Sequence, residues 1–126
     1  MKTMLFTLIL TMGMVSAAFS AEKGQELLNK GKAVYEKNCV SCHSYTPPPK
    51  TAPPIMGITQ QYHEAFNDGE KAIARMVDFL KKPSKEKSSL LPAALERWGL
   101  MQPINLSDEE LYAVSYWIWE AYPKEY

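Results

Sequence analysis

Polar and apolar residues follow one another along this chain with the rhythm of helices, and no alternating run rich in β-branched side chains interrupts them. From Glu22 to Asn38, Leu27, Leu28, Gly31, Val34 and Tyr35 fall near one face, which predicts a first helix. A second is predicted over Asp68 to Lys82, where Ala72, Ile73, Met76, Val77, Phe79 and Leu80 recur at helical spacing; Asn67 or Asp68 supplies the N-cap and Pro83 the stop. Shorter helical turns fit Gln60 to Phe66 and Leu91 to Trp98. The plainest helix runs from Ser107 to Ala121, opened by the capping box Ser107-Asp108-Glu109-Glu110, whose acidic groups sit at the positive helix end. Leu111, Tyr112, Val114, Tyr116, Trp117, Ile118 and Trp119 make it apolar almost all the way round, so it must be buried on more than one side. Gly31 costs its helix about 1 kcal/mol relative to alanine, which points to a close helix approach there, with Tyr35 one turn on.

Ahead of these elements, Lys2 gives a positive start, Met4 to Val15 is nearly all apolar, and Ser16-Ala17-Ala18-Phe19-Ser20 supplies small residues. This is the pattern of a secretory signal peptide over residues 1–20, cleaved before Ala21 or, as the alternative, after Ala18, leaving one domain over 21–126. A retained anchor fits less well, because the apolar run falls short of the roughly 20 residues that span a bilayer. The mature domain is therefore expected to be periplasmic, soluble and without a membrane span. The 14 basic and 14 acidic side chains balance, and cleavage removes Lys2. With no excess of positive charge, nucleic acid is excluded as a partner.

Chemistry concentrates in Cys39-Val40-Ser41-Cys42-His43, which holds both cysteines of the chain. Two thiols one helical turn apart, with an imidazole directly after the second, suit thioether attachment of both haem vinyl groups while His43 reaches the iron. A chain of this size has a thin core by itself, and a buried porphyrin would supply apolar interior. Two haem-free uses compete: a zinc site of Cys39, Cys42, His43 and His63, or a dithiol redox pair. Adjacent Cys42 and His43 suit a single zinc poorly, and no βαβ pattern accompanies the dithiol.

Gly31 and Tyr35, the Cys39–His43 motif, Pro53-Pro54-Ile55-Met56-Gly57-Ile58, Met101, and the helix opened by Ser107 with Tyr116 near its middle occur here in the order and spacing of the monohaem class I cytochromes c, which the chain resembles over nearly all of its mature length. The resemblance implies an all-α, cytochrome c-like fold: three to five helices around one covalently attached haem c, with the N- and C-terminal helices crossing beside it. It implies Cys39 and Cys42 as the thioether sulfurs, His43 as an axial iron ligand, and the Pro53 carbonyl as the group that receives the other ring nitrogen of His43.

For the sixth iron ligand the choice is Met101, in a loop punctuated by Gly99 and Pro103; Met56, Met76 and His63 are the other candidates. Gln102 stands between Met101 and Pro103, where the family often has proline directly after the methionine. Trp98 and Tyr62 are candidates to hold haem propionates, or else pack as ordinary aromatics. With both axial positions filled, one-electron exchange remains and ligand chemistry is suppressed, so the expectation is a monomeric electron carrier of a respiratory chain rather than an enzyme. Its redox partner proteins would dock transiently. The alternative is a haem enzyme or gas sensor with an open or His-ligated sixth position. Lys81, Lys82, Lys85 and Lys87 form one basic run, read as a solvated loop or, less simply, as a steering patch for an acidic partner.

Overall fold

A computed structural model of the chain describes residues 2–122, with side chains from residue 17 onward. Among the described residues there are five helices and no strand: α1 (Lys2–Asn38), α2 (Ile55–Ala65), α3 (Gly69–Lys81), α4 (Pro92–Trp98) and α5 (Asp108–Glu120). The helix predicted to begin at Glu22 thus starts far upstream, and most of the expected leader lies outside the residues whose side chains are described. Residues 17–23 are exposed, and Gly24 is the first that is half-buried, its Cβ direction pointing 3.4 Å from the Tyr116 hydroxyl. No helix among the described residues is long and apolar enough to cross a membrane.

The hub is α5, which packs against α1, α2 and α3. Its start is fixed locally: Ser107 Oγ accepts from the Glu110 amide at 3.2 Å while the Glu110 carboxylate accepts from the Ser107 amide at 2.9 Å. The next two carboxylates reach outward to neighbouring helices, Asp108 to Lys81 of α3 at 2.8 Å and Glu109 to Lys30 of α1. Such exposed pairs contribute about 0–1 kcal/mol each, so they orient the helices more than they hold them. The holding comes from burial of Leu111, Ala113, Val114 and Ile118, spread round the helix as its sequence requires.

Gly31 carries the α1–α5 contact. A Cβ there would stand 2.5 Å from Trp117 Cβ and closer still to the Ala113 carbonyl, so no side chain fits without moving backbone. One turn on, Tyr35 stacks on Trp117 with ring centroids 4.8 Å apart. On α3, Asp68 caps the Lys71 amide at 3.1 Å, and Ala72, Ile73 and Met76 are buried.

α2 begins well before the predicted Gln60 because its first amides find carbonyls from elsewhere in the chain. Pro54 stands at the N-cap, Ile55 donates to Ser44 at 2.8 Å and Met56 to Tyr45 at 3.0 Å. The buried Thr59 hydroxyl then ties the helix to the Ile118 carbonyl of α5. α4 differs from the rest, since none of its residues is buried; Pro92 opens it and Gly99, with φ of 74°, closes it in a conformation that favours glycine.

Candidate functional site

The last turn of α1 runs on into the cysteine motif. The Cys39 and Val40 amides donate to Tyr35, and the Cys42 and His43 amides then donate to Cys39 at 3.1 and 2.9 Å, which winds one more turn beyond the helix. Cys39, Cys42 and His43 all reach the wall of one cavity of about 440 Å³, and Pro53 and Met101 line the same cavity. The remaining wall is mainly apolar, with Ile55 and Ile58 from α2, Met76 and Leu80 from α3, and Val114 and Ile118 from α5.

His43 is held on two sides. Its Nδ1 lies 2.7 Å from the Pro53 carbonyl oxygen; a carbonyl only accepts, so Nδ1 carries a proton, and Nε2 is the nitrogen that holds the lone pair in the neutral ring. Its own carbonyl receives the Tyr35 hydroxyl at 2.9 Å. The following loop is closed by the Ala52 amide on Cys42 at 3.1 Å and by the Ser44 hydroxyl on Pro48 at 3.0 Å. The resemblance implies Pro53 as the acceptor for the His43 ring, whereas the Ser44 and Tyr45 carbonyls that seat α2 have no sequence signal, because backbone acceptors leave no mark in side-chain patterning.

The two thiols are unpaired and differ in setting. Burial, with a smaller contribution from Cys42, pushes the Cys39 thiol up to about 11. Exposed Cys42 is shifted down, chiefly by hydrogen bonding from Thr51 and then Ser41.

The other sixth-ligand candidates separate. Met76 lines the cavity but is buried in the hydrophobic core at 3% exposure. Met56 and His63 lie outside it. His63 Nε2 donates to the Trp119 carbonyl at 2.9 Å, and its ring is stacked between Trp119 at 3.6 Å and Tyr122 at 4.3 Å. A zinc site of Cys39, Cys42, His43 and His63 therefore lacks its fourth donor, and no group of three or more metal-ligating side chains assembles among the described residues. Tyr62 and Trp98 both line the cavity. Burial raises the Tyr62 phenol, against smaller opposing effects from Ser89 and Arg75. Two lysines of the basic run are already paired, Lys81 with Asp108 and Lys87 with Asp78, each at 2.8 Å.

A protein of Aquifex aeolicus (strain VF5) described as uncharacterized is 27% identical over 138 residues, which cover 94% of this chain and 90% of that protein. No solved structure matches. The family model for cytochrome c matches residues 28–121, a span that holds the cysteine motif, Pro53, Met101 and all of α5. With its helical fold and its two thiols and imidazole set in one turn, this chain belongs to the cytochrome c family, whose members bind haem c and typically carry electrons.

Proposed function

We propose that the chain is an exported, soluble carrier of single electrons that holds one haem c through Cys39 and Cys42, with His43 and Met101 as the axial ligands of a low-spin iron. The observation that carries this reading is the convergence of two unpaired thiols, one imidazole and one thioether on a single, mainly apolar cavity. That donor set fits the group: paired sulfurs for the vinyl carbons, Nε2 with its lone pair available, and a soft sulfur from a different segment. Bound there, haem c supplies a metal that accepts and returns one electron.

The protein's own contributions follow from its contacts. The Pro53 carbonyl fixes the His43 ring and tautomer and, by drawing on Nδ1–H, makes Nε2 a better donor. Ile55, Ile58, Val114 and Ile118 keep water from the cavity, which favours the less charged state of the site. Met101 filling the sixth position would raise the potential and leave no vacancy for oxygen or substrate. His63, bound up with Trp119 and Tyr122, argues against bis-histidine ligation.

Export rests on the first twenty residues and on the exposure of residues 17–23, since a cut before Ala21 removes no buried side chain among those described. The domain would act as a monomer in the periplasm, docking briefly on redox partners of a respiratory chain. Lys82 and Lys85 are the exposed lysines of the basic run that lie outside the pairs with Asp108 and Asp78, so steering by charge would be modest.

Intact mass of the exported protein, a pyridine haemochrome spectrum and the ferric far-red band, taken together, test this. One haem per chain and a sulfur-to-iron band absent from Met101→Ala are expected; a colourless mature protein overturns the reading, and a high-spin ferric spectrum moves it to the haem enzyme or gas sensor.

A further inference from the structure

One indole grips the chain on both sides of His43. Trp117 of α5 stacks on the Tyr35 ring, with centroids 4.8 Å apart and planes 25° from parallel, and meets the Tyr45 ring at 5.8 Å. Tyr35 precedes the cysteine motif, and Tyr45 follows His43 by two residues. Each is also held elsewhere. Tyr35 is only 6% exposed and stands one turn beyond the close approach of Gly31 to Ala113 and Trp117, while the Tyr45 carbonyl receives the Met56 amide of α2 at 3.0 Å.

Packing of α1 on α5 accounts for the ring of Tyr35 but not for its hydroxyl, since phenylalanine would fill the same stack. A hydroxyl on so buried a residue costs free energy unless it finds a partner. Its partner is the His43 carbonyl, at 2.9 Å. The bonds from the Cys42 and His43 amides to Cys39 stay inside the turn, so they shape it without fixing where His43 stands relative to α5. The direction of an imidazole depends on the placement of its main chain as well as on its side-chain torsions. The Pro53 carbonyl holds the ring end, 2.7 Å from Nδ1, and the Tyr35 hydroxyl holds the main-chain end. Held at one end alone, the ring plane turns whenever the loop shifts; held at both, it is fixed.

Resting on the haem reading above, we propose that Tyr35 is a positioning residue for His43: its hydroxyl, seated by Trp117, passes the placement of α5 on to the plane of the imidazole that ligates iron. Tyr35 acts through the His43 main chain and not on the metal. The division of labour is that Pro53 selects the tautomer, whereas Tyr35 ties the ligand's orientation to the crossing of the first and last helices. Removing the hydroxyl leaves the His43 carbonyl without this donor, and the turn must move to find another.

The test is proton NMR of the ferric holoprotein, in which the order and spread of the haem ring methyl resonances follow the orientation of the axial imidazole plane. Tyr35→Phe keeps the stack and removes the donor. It is expected to load haem and keep the far-red band, to change the methyl pattern, and to exchange the His43 Nδ1 proton with solvent several-fold faster. Trp117→Phe keeps the hydroxyl but shrinks its support, so the pattern moves the same way by less. Glu110→Ala weakens the start of α5 without touching either contact, and the pattern stays as in the wild type. A wild-type methyl pattern in Tyr35→Phe overturns the proposal, and so does an equal change in Glu110→Ala, which would make the effect one of general stability. If Tyr35→Phe takes up no haem, Trp117→Phe decides, and a wild-type pattern there overturns the link to α5. A pyridine haemochrome spectrum of the wild type separates these outcomes from failure of the haem reading itself, which would leave that sample colourless.

Discussion

The segment that presents His43 and the segment that presents Met101 face one cavity and are built on opposite plans. Between Cys42 and Met56 the chain is stapled by the Ala52, Ile55 and Met56 amides, by the Ser44 hydroxyl and by the His43 ring, with Tyr35 fastening it to α1. From Leu100 to Leu106, no amide finds a backbone carbonyl among the described residues, and the preceding α4 has no buried residue. A planar imidazole must be aimed, and its tautomer chosen, before it can bind metal. A thioether on three rotatable bonds can be drawn in by the metal, so its loop can rely on the contact it makes.

The largest effect should follow from removing the aimed group. Losing only an outer partner of a ligand costs about 10- to 100-fold in metal affinity, so His43→Ala should cut the yield of haem-loaded, low-spin protein at least as severely, measured by the Soret absorbance per mole of chain. Met101→Ala should leave haem attached, abolish the far-red band and lower the potential by about 0.1 V or more, within the range of ~0.8 V that axial ligands command. If the two variants damage loading equally, the contrast between the walls is wrong. A milder probe is Pro53→Gly, which keeps the carbonyl but frees the backbone. It should cost about 1 kcal/mol in denaturant unfolding, with amide exchange rising toward that of residues 100–106.

The smallest effect concerns the frame that both walls share. Hydrogen bonding to the Ser107 amide and hydroxyl lowers Glu110, so its contribution is complete above the ordinary glutamate range and is lost as pH falls through the depressed folded value. Glu110→Ala should remove that part of the acid dependence in thermal melts from neutral to low pH, while leaving both loops' exchange rates in their original order.

What was legible in the sequence was whatever is specified by neighbours in the chain. The Ser107 capping box and the Asp68 cap occur where the side-chain pattern puts them, because each closes within three residues. Gly31 announced a close contact by its cost to the helix, although its partners, Ala113 and Trp117, come from the far end of the chain. The start of α2 was missed because it depends on carbonyls across a loop. Outside α4, the wall from Ser88 to Leu106 has no periodicity to read, and its residues share only their relation to the cavity. The lysine run looked like one patch until Asp78 and Asp108 divided it.

The stack of His63 on Trp119 gives the molecule a reporter of its own. With ring centroids 3.6 Å apart and planes within 12°, the carbon-bound imidazole protons lie in the shielding region of the indole, so ring current moves their resonances upfield. Those signals read out whether α5 is seated on α2.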